Sequence, residues 1–203
     1  MTVTITGTNV DGVDVSAHAA DIEAHTYEPY SVLRTGEYHS WHGMGATATI
    51  ALTANQLYGV PFVVTRDMTV DRIACEVTAQ AGQKIRMGIY STGTNCYPGT
   101  LVVDGGELTL GATGVTASTI SESLTKGLYF LAIISDATPT IRRWNYTYPY
   151  PTPLGIAATD FRYGQHCWFV AQAYGALPDP FTAAATLHAD YPMIIMLRIA
   201  SLD

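Results

Sequence analysis

The chain has 203 residues, 48% of them hydrophobic and only 13% charged, which supplies a sizeable core and argues against intrinsic disorder. Its 10 Lys and Arg against 17 Asp and Glu leave a formal net charge of −7, with two lysines, Lys84 and Lys126, so nucleic acid and anionic membrane are disfavoured as main partners. No apolar run approaches the ~18 residues of a membrane span; the longest candidates, 128–134 and 193–197, are the length of strands.

The chain starts Met1-Thr-Val-Thr-Ile-Thr, with neither the basic segment nor the apolar stretch of a secretory signal. Alternation of Thr with Val3 and Ile5 reads as a short strand, and Asn9-Val-Asp-Gly12 as a turn. Residues 14–27 carry the one convincing helical pattern. Val15, Ala19, Ile22 and Thr26 recur at helical spacing, and His18, Ile22 and His25 make an overlapping stripe. Asp14 or Ser16 can cap the start, and Glu28-Pro29 ends it. A helix of about a dozen residues is marginal alone in water. It is expected to pack on the main domain or on copies of itself, with Val15, His18, Ile22 and His25 as oligomerisation residues. His18 and His25, seven apart, lie on one side of that helix. With no carboxylate or thiolate partner placed by the spacing, they read as polar interface residues, not metal ligands. Tyr38-His-Ser-Trp-His42 follows. His39 and His42 at i, i+3 in a Gly-flanked segment fix no metal geometry, and the segment reads as a packed inter-subunit hinge. Residues 1–41 are thus expected to form an anchoring and oligomerisation arm with one short helix.

From residue 47 onward the period is two. Tyr58, Val60, Phe62 and Val64 share a face. In the next run Asp71, Ile73, Cys75 and Val77 are expected inward, with Val70, Arg72, Ala74 and Glu76 outward. Ile85, Met87 and Ile89 follow as an inward set. Tyr97-Pro-Gly-Thr100 has Pro and Gly at the positions a type II turn requires. Residues 101–103, 108–110, 115–120 and 167–174 continue as strands between turns. Residues 128–134 and 193–199 are apolar on both faces, which predicts central strands or strands with one face against another chain. About eight short strands over ~155 residues predict an all-β domain, a jelly-roll-like antiparallel β-sandwich, over residues 43–203.

The three cysteines, Cys75, Cys96 and Cys167, form no C-x-x-C pair and no disulfide framework, which suits a reducing cytoplasm. Residues 144–153, Trp-Asn-Tyr-Thr-Tyr-Pro-Tyr-Pro-Thr-Pro, hold three prolines and read as a stiff aromatic loop. Trp144, Tyr146, Tyr148 and Tyr150 alternate with polar residues and proline, and aromatic faces stack on sugar rings. Arg142 and Arg143 precede them and can donate to hydroxyls or carboxylates. Arg142, Trp144, Tyr146, Tyr148 and Tyr150 therefore form a candidate glycan or receptor contact; the competing reading packs the loop on a neighbouring subunit or on its own sandwich. Residues 176–188, with Pro178 and Pro180, are a second irregular stretch. For catalysis the chain is thin: no G-x-S-x-G, H-E-x-x-H or G-x-x-x-x-G-K occurs, and sequence does not bring Asp160 and Asp179 together. No catalytic residue, metal or cofactor is expected. Asn145-Tyr-Thr147 matches a glycosylation acceptor, which carries no weight without a secretory signal.

Two segments carry a resemblance. Val10-Asp-Gly-Val-Asp-Val-Ser-Ala-His18, continued by Ala-Ala-Asp-Ile-Glu-Ala-His25, resembles connector segments of bacteriophage tail-fibre and related virion proteins. Leu52-Thr-Ala-Asn-Gln-Leu-Tyr58 and Pro61-Phe62, then Asp71-Arg-Ile73, Met87-Gly-Ile-Tyr90, Tyr97-Pro-Gly99 and Leu128-Tyr-Phe-Leu-Ala132, are similar to a β-sandwich domain of phage and prophage fibre proteins. The resemblance covers roughly residues 10–135. It implies a non-enzymatic virion structural protein, a fibre head, tail-tip or capsid-surface domain, usually trimeric, and it carries over no catalytic set. Such a protein would be assembled in the host cytoplasm and released by lysis. Trimerisation is expected to bury apolar outer faces at Tyr129, Leu131 and Ile133 and to cover sheet edges. Expected partners are identical copies, other virion proteins through the arm, and a host-surface glycan. The alternatives are a capsid decoration protein without a ligand and a polysaccharide depolymerase.

Overall fold

The computed structural model describes residues 33–40, 46–145, 154–155, 164–189 and 192–202 and, as backbone, 9–10 and 13–14. The chain divides into two units, Met1–Val32 and Leu33–Asp203. In the first, β1 (Asn9–Val10) and β2 (Val13–Asp14) pair antiparallel, with Val10 opposite Val13. Asp14 belongs to β2. The rest of the expected helix, with Val15, His18, Ile22 and His25, lies outside the described residues.

The second unit holds β3 (Tyr38–His39), β4 (Thr47–Ala51), β5 (Gln56–Val64), β6 (Met68–Ala79), β7 (Lys84–Thr92), β8 (Pro98–Thr109), β9 (Gly114–Leu124), β10 (Gly127–Ser135), β11 (Thr140–Trp144), β12 (Cys167–Ala171), β13 (Thr186–His188) and β14 (Ile195–Leu202). One sheet runs β13-β12-β5-β10-β7-β8; the other runs β3-β14-β6-β11-β4. β9 lies along the edge of β6 opposite β14 and β11, because Cys75 pairs with both Thr116 and Ile195, and Val77 with both Gly114 and Ile141. All pairings are antiparallel, and the chain changes sheet at most turns. The expected all-β sandwich is the fold found.

Its boundary lies earlier than expected. Tyr38 and His39, assigned from sequence to the arm, pair with Arg198 and Leu197 of β14 and form an edge of the second sheet. Arg34 N lies 3.3 Å from His39 Nε2, so the imidazole closes the turn before β3.

Alternation places the core. Tyr58, Val60, Phe62 and Val64 of β5, Ile85, Met87 and Ile89 of β7, and Leu197 and Ile199 of β14 meet between the sheets, as their period predicts. In β6 the pattern breaks. Val70 is in the core, whereas Asp71 is half-exposed and gripped by Arg198. Against β14, Arg72 pairs with Arg198 and Val70 with the next residue, Ile199, so Asp71 is an extra residue of β6 and turns outward before Ile73, Cys75 and Val77 resume the inward face. The expected type II turn at Tyr97-Pro-Gly-Thr100 is also absent. The β7–β8 connection closes instead through a 3-10 turn at Thr94–Cys96, where Asn95 and Cys96 take φ of 55° and 52° and Gly93 N donates to Tyr97 O at 2.7 Å. Pro98 and Gly99 already belong to β8.

β10 is apolar on both faces because both are covered, and the cover comes from its own chain. Leu131 and Ile133 point between the sheets, and half-buried Tyr129 packs against the same core. Of these residues, expected to meet another copy, Leu131 and Ile133 are therefore core residues and Tyr129 packs on that core. On the other face Phe130, Ala132 and Ile134, with Leu57 and Tyr90, form a second cluster under Leu177 and Phe181. Residues 172–185 cross this face as a strap. Tyr90 Oη donates to Pro178 O at 2.7 Å, Tyr97 Oη to Thr182 O at 2.7 Å, and Leu177 N to Asp104 Oδ2 at 3.0 Å. Asp179 accepts from Leu101 N at 3.0 Å. Each large apolar side chain so covered contributes about 1.5–3 kcal/mol, and Phe181 N adds a further bond to the sheet at Gly99 O, 2.9 Å away.

Candidate functional site

The outer face of the second sheet carries a concave groove. Its geometry follows from three cross-strand pairs: Met196 beside Ala74, Glu76 beside Val115, and Trp144 beside Thr47. Since Cys75, Ile141, Ile195 and Leu197 point between the sheets, their neighbours Ala74, Glu76, Arg142, Trp144 and Met196 point away. Ala74 ends in a single methyl, so the sheet is low there, while the long side chains around it stand up as walls. The result is a cavity of about 260 Å³ to which Tyr38 of β3 also contributes.

Its lining is mostly apolar, with one ion pair. Arg142 Nε donates to Glu76 Oε1 at 3.0 Å, and the two side chains are 37% and 41% exposed. Further along the same face, Arg198 donates from Nε to Asp71 Oδ1 at 2.8 Å and from Nη2 to Oδ2 at 2.5 Å. That hydrogen-bonded guanidinium holds the Asp71 carboxyl below its usual range. Val115, 69% exposed, stands at the rim. Cys75 reaches the floor but is buried, and burial pushes its thiol up to about 12, so it stays protonated at neutral pH. Burial raises the Cys167 thiol as well.

Of the residues that the sequence offers as ligand contacts, Arg142 and Trp144 come together in this groove. Tyr146, Tyr148 and Tyr150 lie outside the described residues. Glu76, Tyr38 and Met196 were not among the sequence candidates. The strand period did turn Glu76 outward, but its partner sits 66 positions away on another strand, and only the pairing of β11 with β6 unites them. Among the described residues no group of three or more His, Cys, Asp and Glu converges on a metal position. A second cavity, about 290 Å³, lies beside the 3-10 turn at Asn95, Cys96 and Trp168. There Trp168 Nε1 already donates to Cys96 O at 2.8 Å, so its polar edge is spent on the fold.

No family model and no curated protein matches this chain. Among solved structures the chain is similar to the cysteine protease and lectin-like domains of a surface layer associated protein of Clostridium difficile, at 14% identity and a TM-score of 0.43. The match covers 74% of this chain and 35% of that one, so the chain spans about a third of that structure.

Proposed function

We propose that this chain is a non-enzymatic recognition module of a phage virion, a fibre, tail-tip or capsid-surface domain whose rigid sandwich holds a host-surface glycan in the groove around Trp144. The observation that carries the reading is the convergence of Trp144, Tyr38 and Arg142 on one concave, mostly apolar surface. Aromatic walls suit the apolar face of a pyranose, and an ion pair at the rim suits its hydroxyls. The virion setting rests on the resemblance of roughly residues 10–135 to phage fibre domains. Homotrimer formation, and attachment to other virion proteins, is proposed for the N-terminal segment. The apolar outer face of β10 is already covered by residues 172–185 and is not available for it.

The test is retention of the purified protein on a glycan array or on immobilised host polysaccharide. Trp144→Ala should lose an anchor worth about 2 kcal/mol, roughly thirtyfold in affinity, with the far-UV circular dichroism of the β fold retained. Full retention by the folded Trp144→Ala protein would dismiss the groove as the contact.

A further inference from the structure

We infer that the groove selects an uncharged sugar bearing two adjacent hydroxyls, held between Arg142 and Glu76; this rests on the recognition reading above. The Arg142–Glu76 contact uses Nε and Oε1 alone. Among the described residues, the terminal amino groups of Arg142 and Oε2 of Glu76 make no other hydrogen bond. A donor fork and an acceptor thus stand side by side at the rim, with Trp144 and Ala74 lining the same cavity. A vicinal diol matches this pair: one hydroxyl accepts from the guanidinium while its neighbour donates to the carboxylate. A sugar carboxylate does not match, because it would displace Glu76 from the arginine or sit against it as a like charge. The next cation on this face gives no relief, since Arg198 is gripped by both oxygens of Asp71. The chain's net charge of −7 further opposes polyanionic glycans.

The experiment measures binding of the full chain to a neutral polysaccharide set (dextran, galactomannan, arabinogalactan) and an acidic set (alginate, polygalacturonate, polysialic acid), with wild type, Glu76→Gln and Trp144→Ala. A neutral glycan should bind, Glu76→Gln should weaken it about tenfold or more, as loss of a charge-assisted hydrogen bond does, and the acidic set should not bind. Binding of an acidic glycan that tightens in Glu76→Gln would overturn the selectivity while leaving the groove as the site. Neutral binding lost in Trp144→Ala but untouched by Glu76→Gln would overturn the role of the pair alone. Failure of wild type to bind either set removes the recognition reading itself, and the selectivity with it. Equal melting temperatures of the three proteins tie any loss to contact and not to folding. If Glu76→Gln melts early, Glu76→Asp, which keeps the charge and shortens the reach, replaces it with the same expected weakening.

Discussion

Gly88 tests whether the strap lies where its contacts put it. It sits in β7 between Ala132 of β10 and Asp104 of β8. A Cβ added there would fall 2.4 Å from Leu177 Cδ1 and 2.4 Å from Val103 O. Favourable contact needs about 3.5–4.0 Å between carbons, so Gly88→Ala demands that both neighbours retreat by about 1 Å. Leu177 offers only a side-chain tip but is buried between the strap that carries it and the sheet, and Val103 O belongs to the β8 backbone. Overpacking a core by one methyl costs about 1–3 kcal/mol, and with backbone in the way the upper end applies, about 3 kcal/mol. For a domain of this size that lowers the melting temperature by roughly 6–12 °C. Circular dichroism melts and urea titrations of wild type, Gly88→Ala, Leu177→Ala and the double mutant form a cycle. Leu177→Ala alone empties a packed site and should cost about 2–5 kcal/mol. If Leu177 is the obstructing group, the double mutant costs at least about 1 kcal/mol less than the sum. A Gly88→Ala protein melting like wild type would refute the close approach. Strict additivity, within about 0.5 kcal/mol, would refute the strap's place over β7.

Two other outcomes are expected. The hydrogen-bonded Arg198 guanidinium holds the Asp71 carboxyl below the usual carboxylate range, so the pair's contribution is present above that range and lost as pH falls through the lower, folded value. Between about pH 6 and about pH 3 the urea midpoint of wild type should therefore drop further than that of Asp71→Asn, and parallel pH profiles would dismiss the ion pair as a source of stability. In the native protein iodoacetamide should label half-buried Cys96 alone, with buried Cys75 and Cys167 reacting only in denaturant; intact mass showing three adducts before unfolding would contradict the core assignment.

Strand faces were legible wherever alternation ran unbroken. β5 and β7 put Tyr58, Val60, Phe62 and Val64, and Ile85, Met87 and Ile89, inward because each set recurs at the strand period of two without a break. The reading failed at Asp71 because a bulge is a property of two strands: the extra residue in β6 exists only relative to β14. It failed at Tyr97-Pro-Gly-Thr100 for a similar reason. That tetrapeptide prefers a type II turn locally, but Asn95 and Cys96 supply the reversal earlier, and β8 then recruits Pro98 as its first residue. In β10 the sequence established that both faces need cover, but not from which chain, because apolar burial is non-directional. The strap, far downstream of β10, carries prolines and turn residues that give no strand or helix period to read, yet Leu177 and Phe181 supply the cover.

The groove shows how closely fold and candidate chemistry are tied. Trp144 and Arg142 stood out because their chemistry is local, whereas Glu76 acquired a partner only through the β6–β11 pairing. The same alternation that sends Ile141 between the sheets sends Arg142 and Trp144 to the outer face. A one-residue slip of β11 would exchange these faces, burying a guanidinium and lifting Ile141 out of the core. The register that positions the Arg142–Glu76 pair is thus enforced by burial of Ile141 between the sheets, not by the ion pair, whose half-exposed contact is worth no more than about 1 kcal/mol. The groove can accordingly vary its rim residues without risk to the sandwich, so long as the inward positions of β6, β11 and β14 stay apolar.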